Sequence, residues 1–183
     1  MQAAARPQSV IVGLGRTGVS AARHLAARGH RLVVTDSRAD PPGLTELRRL
    51  VPEAATALGG FDPQVLEGAD QVVVSPGVSL REPFLQQAAA LGLDLVGDIE
   101  LFARVRDEFP GARVIGITGS NGKSTVTEMV GAMVRAAKVR TLVAGNIGVP
   151  ILDALTEVAA GRRRRPDVFV LELSSFQLET TSG

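Results

Sequence analysis

The 183-residue sequence contains no cysteine, tryptophan or tyrosine, and its only aromatic residues are six phenylalanines. Without cysteine there is no disulfide, no thiolate metal site and no cysteine nucleophile, a composition at home in a reducing compartment. So few rings leave little from which to build the stacking platforms that single-stranded nucleic acid requires. Charge of one sign is also lacking. Twenty Lys and Arg stand against nineteen Asp and Glu, a net charge of +1, which gives no electrostatic preference for nucleic acid or a membrane surface. No apolar run approaches the ~18 residues of a membrane helix. Residues 1–9 hold one Arg and one Pro but no apolar stretch of the signal-peptide kind. A soluble, cytoplasmic protein with no nucleic-acid and no membrane partner is expected. Hydrophobic residues make up 45% of the chain, enough for a core in one or two domains.

Short β-rich runs alternate with longer stretches of helical periodicity. Strands are expected at residues 9–13, 31–35, 71–74 and 94–96, and helices at 18–28, 44–50, 82–91 and 98–108. The break Phe109-Pro110-Gly111 precedes a second series, with strands at 113–117, 141–144 and 167–173 and helices at 123–137 and 151–160. Such alternation predicts an α/β fold of parallel sheets covered by helices. The boundary is placed within residues 97–112, giving a Rossmann-like domain at 1–97 and a P-loop NTPase-like α/β domain at 98–183. A three-stranded parallel sheet normally continues, because both its faces need cover, so the second domain is expected to be incomplete as given.

Three motifs carry chemistry. Thr118-Gly119-Ser120-Asn121-Gly122-Lys123-Ser124-Thr125 follows an apolar strand and opens a helix, the context of a phosphate-binding loop. Glycines turn backbone N–H groups inward, and the helix N-terminus adds partial positive charge. Lys123 is suited to the β- and γ-phosphates of ATP, and the Ser124 hydroxyl to Mg²⁺. Ile117 stands where the full Walker pattern has its first glycine. The second motif is Gly13-Leu14-Gly15-Arg16-Thr17-Gly18, with Asp36 closing the next strand where a ribose-binding acid belongs. It fits a dinucleotide site, tight strand–helix packing, or another diphosphate on the same helix. The third is Glu172, flanked by Leu171 and Leu173 at the end of an apolar strand. A carboxylate buried there needs a partner, for which Mg²⁺ opposite the phosphate loop is the favoured reading over a strand-end acid facing solvent. The run Arg162–Arg165 reads as a solvated loop, and His24 and His30 receive no role.

In their order and spacing these pieces resemble the Mur ligase family over nearly the whole chain. The residues that carry the resemblance are Gly13–Gly18 with Ser20, Asp36-Ser37-Arg38, Ser75-Pro76-Gly77, 97–102, 118–125, 145–150 and 171–181. Segments 97–102 and 171–179 are similar to the member that adds D-glutamate. The resemblance implies that the first domain holds the uridine diphosphate part of a substrate rather than NAD, with Arg16, Thr17, Ser37, Arg38 and Gly77 lining that site. Asn146 would contact the substrate nearer its reacting end, with Ser174 and Gln177 near the substrate carboxylate.

The implied activity is ATP-dependent amide synthesis in peptidoglycan precursor formation. UDP-N-acetylmuramoyl-L-alanine and D-glutamate are the implied substrates, ATP and Mg²⁺ the cofactors, and an acyl phosphate the intermediate. Gly119, Ser120, Asn121, Gly122, Lys123, Ser124 and Thr125 would hold ATP. Lys123 and Glu172 are the catalytic residues, and Ser124 and Glu172 the metal ligands. Family members continue into further domains and are expected to be monomeric at full length. A histidine, a carbamylated lysine and the glutamate site lie in that continuation, so the chain as given is expected not to complete the reaction. A nicotinamide-dependent oxidoreductase built on Gly13–Gly18 and Asp36, and an ATP-sensing regulatory module, are the competing readings.

Overall fold

Two separate parallel sheets organise the chain. The computed structural model describes residues 6–181; residues 1–5, the start of the segment read as lacking a leader, and 182–183 lie outside the described residues. By compactness the chain divides into a unit up to Asp98 and a unit from Ile99 onward.

The first unit contains β1 (Gln8–Val12), α1 (Arg16–Ala27), β2 (Arg31–Asp36), α2 (Leu44–Leu50), β3 (Ala55–Leu58), β4 (Gln71–Val74), α3 (Pro83–Ala90) and β5 (Asp94–Val96). The sheet order is β3-β2-β1-β4-β5, all parallel. β1 and β4 are near-continuous Val/Ile runs, as a strand covered on both faces requires. Val10, Val12, Val72 and Val74 pack with Phe84, Leu85 and Ala88 of α3, while Ile11 and Val73, equally buried, alternate to the other face. The chain leaves β1 for β2 on one side and returns to β4 on the other. The loops after β1 and β4 therefore meet at a topological switch point, where open α/β sheets place their ligands.

The second unit follows α4 (Asp98–Arg104) with β6 (Arg113–Ile117), α5 (Lys123–Ala136), β7 (Thr141–Gly145), α6 (Ile151–Ala159), β8 (Val168–Glu172) and the short α7 (Ser175–Leu178). Its order is β6-β8-β7, again parallel. The last strand in sequence is thus the central one, and all five of its residues are buried. Phe169 anchors the core edge-on against Phe102 at 5.1 Å and Phe109 at 5.3 Å. Val126, Met129 and Met133 of α5 and Val114 of β6 remain exposed.

The α/β class and the parallel sheets agree with the sequence expectation, and most elements fall within two residues of their expected bounds. Three differ. β3, an edge strand of Ala-Thr-Ala-Leu with no β-branched run, was not anticipated. The helix expected over 98–108 stops at Arg104, and a 3₁₀ turn covers Arg106–Glu108. The turn leads directly into Phe109, which packs on Phe169. α7, set by a side-chain cap, was also unforeseen.

Candidate functional site

β6 delivers the chain to the phosphate loop, and α5 carries it away. Gly122 takes the N-cap position in a left-handed conformation with φ +73°, makes no side-chain cap, and no acidic residue occupies the first turn. The positive end of a 14-residue helix is therefore left for an anion. Lys123 Nζ folds back to donate to the Gly119 carbonyl at 2.7 Å, and Thr127 Oγ1 donates to the Lys123 carbonyl at 2.8 Å. A cleft of about 420 Å³ is lined by Ser120, Asn121, Gly122, Lys123, Ser124, Thr125, Asn146 and Glu172. The volume is that of a small-molecule site.

Glu172 reaches this cleft because of register. It ends β8 opposite Ile117 of β6 and Gly145 of β7, so the central strand sets its carboxylate between the two flanking loops. The side chain is 1% exposed. Asn146 Nδ2 donates to its Oε1 at 2.9 Å, and Oε2 is buried with no hydrogen-bond partner. An orphaned carboxylate oxygen in a buried polar cleft is costly unless a cation or donor meets it. Hard oxygen donors, a carboxylate with the Ser124 hydroxyl nearby, suit Mg²⁺. Among the described residues no group of three or more His, Asp or Glu could hold a metal. The ion would draw its remaining ligands from phosphate and water, as Mg²⁺ commonly does.

In the first unit the expected residues gather at the C-terminal ends of the strands. Arg16 and Thr17 open α1, Ser37 and Arg38 follow β2, and Gly77 follows β4. α1 also begins without a side-chain cap or an acidic first turn. Gly18 is required by packing, because a Cβ there would run into the Gly13 carbonyl. Ser75 Oγ donates to that same carbonyl at 2.8 Å.

Asp36 does not stand ready for a ribose. Its Oδ2 accepts from Leu14 N at 2.7 Å and Arg38 Nη2 at 2.7 Å, and its Oδ1 from Arg38 N at 2.9 Å and Arg38 Nε at 2.8 Å. Hydrogen bonding by the Arg38 side chain, against the cost of burial, holds this carboxyl at about 2. Arg38 itself is half exposed, so its outer edge still faces solvent.

Ser174 and Gln177 form a capping box on α7. Ser174 Oγ accepts from Gln177 N at 3.2 Å, and Gln177 Oε1 accepts from Ser174 N at 3.0 Å. The structure thus brings the phosphate loop, Asn146 and Glu172 together, while Ser174 and Gln177 bond to one another. Gly145, read in the sequence only as part of the family resemblance, has a structural task. At φ +105° it lets β7 lie against the end of β8, where a Cβ would strike the Glu172 carbonyl oxygen. The Gly-Asn pair after a strand was the available signal.

Residues 7–97 match the model of the Mur ligase MurD-like N-terminal domain, and residues 117–182 match that of the Mur ligase middle domain. The chain belongs to the Mur ligase family. Among curated Mur ligases it is similar to the UDP-N-acetylmuramoylalanine--D-glutamate ligase of Nitrosococcus oceani, 53% identical over 173 residues, which are 94% of this chain and 36% of that protein. The ligase of the same name from Thiobacillus denitrificans is 50% identical over 185 residues, covering 95% of this chain and 39% of that protein. The chain therefore spans a little over a third of the length of these relatives.

Among solved structures, the murein peptide ligase of Psychrobacter arcticus superposes with a TM-score of 0.56 at 22% identity, over 93% of this chain and 39% of that one. The corresponding ligase of Neisseria meningitides gives 0.54 at 23%, over 92% and 52%. These likenesses concern the Mur ligase fold alone. No helix among the described residues is long and apolar enough to cross a membrane.

Proposed function

We propose that this chain carries the nucleotide-handling part of an ATP-dependent amide ligase of peptidoglycan precursor synthesis, one that joins D-glutamate to UDP-N-acetylmuramoyl-L-alanine. The observation that carries the reading is the unpartnered Oε2 of buried Glu172 in the same cleft as Lys123 and Ser124. In this reading residues 98–183 hold MgATP. Gly119, Ser120, Asn121, Gly122 and Thr125 wrap the phosphates with backbone and hydroxyl donors. Lys123 swings from the Gly119 carbonyl to the transferred phosphoryl group, and Ser124 and Glu172 hold Mg²⁺. Bound magnesium neutralises the charge that builds on the phosphoryl oxygens. The chain's own work is positioning the acceptor carboxylate in line with that phosphoryl group, so that an acyl phosphate forms for the amine of D-glutamate to attack.

Residues 1–97 hold the uridine diphosphate of the substrate at the α1 N-terminus. Arg16, Thr17, Ser37, Arg38 and Gly77 line that site; of the second unit, Asn146 contacts the reacting part of the substrate and Ser174 and Gln177 its carboxylate. The protein works in the cytoplasm, at full length as a monomer. The engagement of both Asp36 oxygens speaks against a nicotinamide enzyme, which would need that carboxylate for a ribose. A thermal-shift panel separates the readings. UDP and MgATP are expected to raise the unfolding temperature and NADH to leave it unchanged; stabilisation by NADH without UDP would overturn the proposal.

A further inference from the structure

Asn146 does more in this geometry than face the cleft. Its backbone N–H donates to the Glu172 carbonyl at 2.9 Å, and its side-chain amide donates to Glu172 Oε1 at 2.9 Å. One residue therefore grips both the main chain and the carboxylate of the residue that ends the central strand. Its own position is fixed on either side. Gly145 brings the β7 end against β8. The following loop turns back at once, with Gly145 N–H reaching the Val149 carbonyl at 3.4 Å and Ala144 bridging Val149.

A carboxylate free to turn about its last bond would sweep its oxygens out of any fixed direction. By donating to Oε1 the Asn146 amide fixes the plane of the carboxylate and leaves the other oxygen, Oε2, buried and unpartnered. Both residues line the cleft of the phosphate loop.

We infer that Asn146 is a positioning residue for Glu172, holding its Oε1 so that Oε2 is presented to the divalent cation of the nucleotide. The role rests on the reading of Glu172 as that cation's carboxylate. Groups that orient a metal ligand commonly matter about 10- to 100-fold in metal affinity.

The test uses the whole 183-residue chain and the Mn²⁺–ATP complex as probe, read by water-proton relaxation. Metal-free ATP in EDTA is titrated in parallel. Asn146→Ala is expected to weaken Mn²⁺–ATP tenfold or more while leaving metal-free ATP within twofold. Glu172→Gln should lose at least as much, and the double variant should bind no worse than Glu172→Gln, because the two residues act through one contact. Asn146→Gln, which keeps an amide donor, should recover part of the affinity, and it carries the comparison if the alanine variant does not fold.

Loss of Mn²⁺–ATP in Glu172→Gln alongside unchanged binding in Asn146→Ala overturns the positioning role alone. So does an equal loss of metal-free ATP in Asn146→Ala. A further tenfold loss in the double variant overturns it too, since Asn146 would then touch the ligand itself. Unchanged binding in Glu172→Gln, or no binding by the wild-type chain, instead removes the reading of the site on which the role rests.

Discussion

Replacing Asp36 with Asn separates a structural carboxylate from a cofactor-binding one. Four donors converge on its two oxygens, from Leu14 N, Arg38 N and two guanidinium nitrogens of Arg38. An amide offers one acceptor oxygen, and its NH₂ would face donors. The carboxyl is held at about 2 against an ordinary 3.8. At ~1.4 kcal/mol for each pH unit of depression, the network contributes about 2 kcal/mol at neutral pH. Because the folded value lies below the unfolded one, this contribution is complete above the unfolded value and is lost as pH falls from 3.8 toward about 2.

Asp36→Asn should therefore lower the unfolding temperature of the unit that holds it by on the order of 10 °C at neutral pH. The gap to wild type should narrow as pH falls toward about 2, where the wild-type carboxyl is half protonated, and close below it. Calorimetric scans of both proteins across that range provide the measurement. A variant within about 0.5 kcal/mol of wild type at pH 7 would refute the reasoning, as would a gap that persists unchanged in acid.

The remaining expectations concern loops and core. Lys123→Ala should abolish the thermal shift given by MgATP while leaving the ligand-free protein as stable as before; a full shift would remove Lys123 from the site. Gly15→Ala and Gly18→Ala should part company, since an added Cβ meets nothing within 4 Å at Gly15 but strikes the Gly13 carbonyl at Gly18. The first variant should fold normally and bind UDP roughly tenfold more weakly by titration calorimetry, because its methyl crowds the helix N-terminus. The second should lose ~3 kcal/mol in denaturant unfolding. Phe109→Ala removes a ring packed on Phe169 and lying under the Arg165 guanidinium, and should cost about 3–4 kcal/mol by the same method.

Much of the architecture was readable because its strands are unambiguous. Residues 10–12 and 72–74 are apolar runs closed by turn residues, and a phosphate loop between a strand and a helix leaves little latitude. Where the reading fell short, the deciding contact was remote or shared. The sequence places Asp36 where a ribose acid would sit, yet Arg38, two residues on, occupies it. Nothing local in Asp-Ser-Arg says whether the guanidinium turns back or reaches outward. Asn146 and Glu172 stand 26 residues apart and meet only because β8 enters between β6 and β7, a crossover that periodicity does not encode. Ser174 and Gln177 had the Ser-x-x-Gln spacing of a capping box in plain view. Their expected place near the substrate carboxylate came from the family resemblance, which the capping box neither requires nor opposes.

The sheet order β6-β8-β7 also bears on how the nucleotide cleft comes into being during synthesis. Among the described residues β6 and β7 pair in this sheet only with β8, so within this chain neither the phosphate loop nor the Asn146 loop is anchored by strand pairing until residues 168–172 have left the ribosome. Vectorial growth then yields an ATP loop that exists as sequence well before it exists as a cavity. The cleft forms in one late, non-local step, and a nascent chain halted before Val168 would carry the whole phosphate-loop motif without the site.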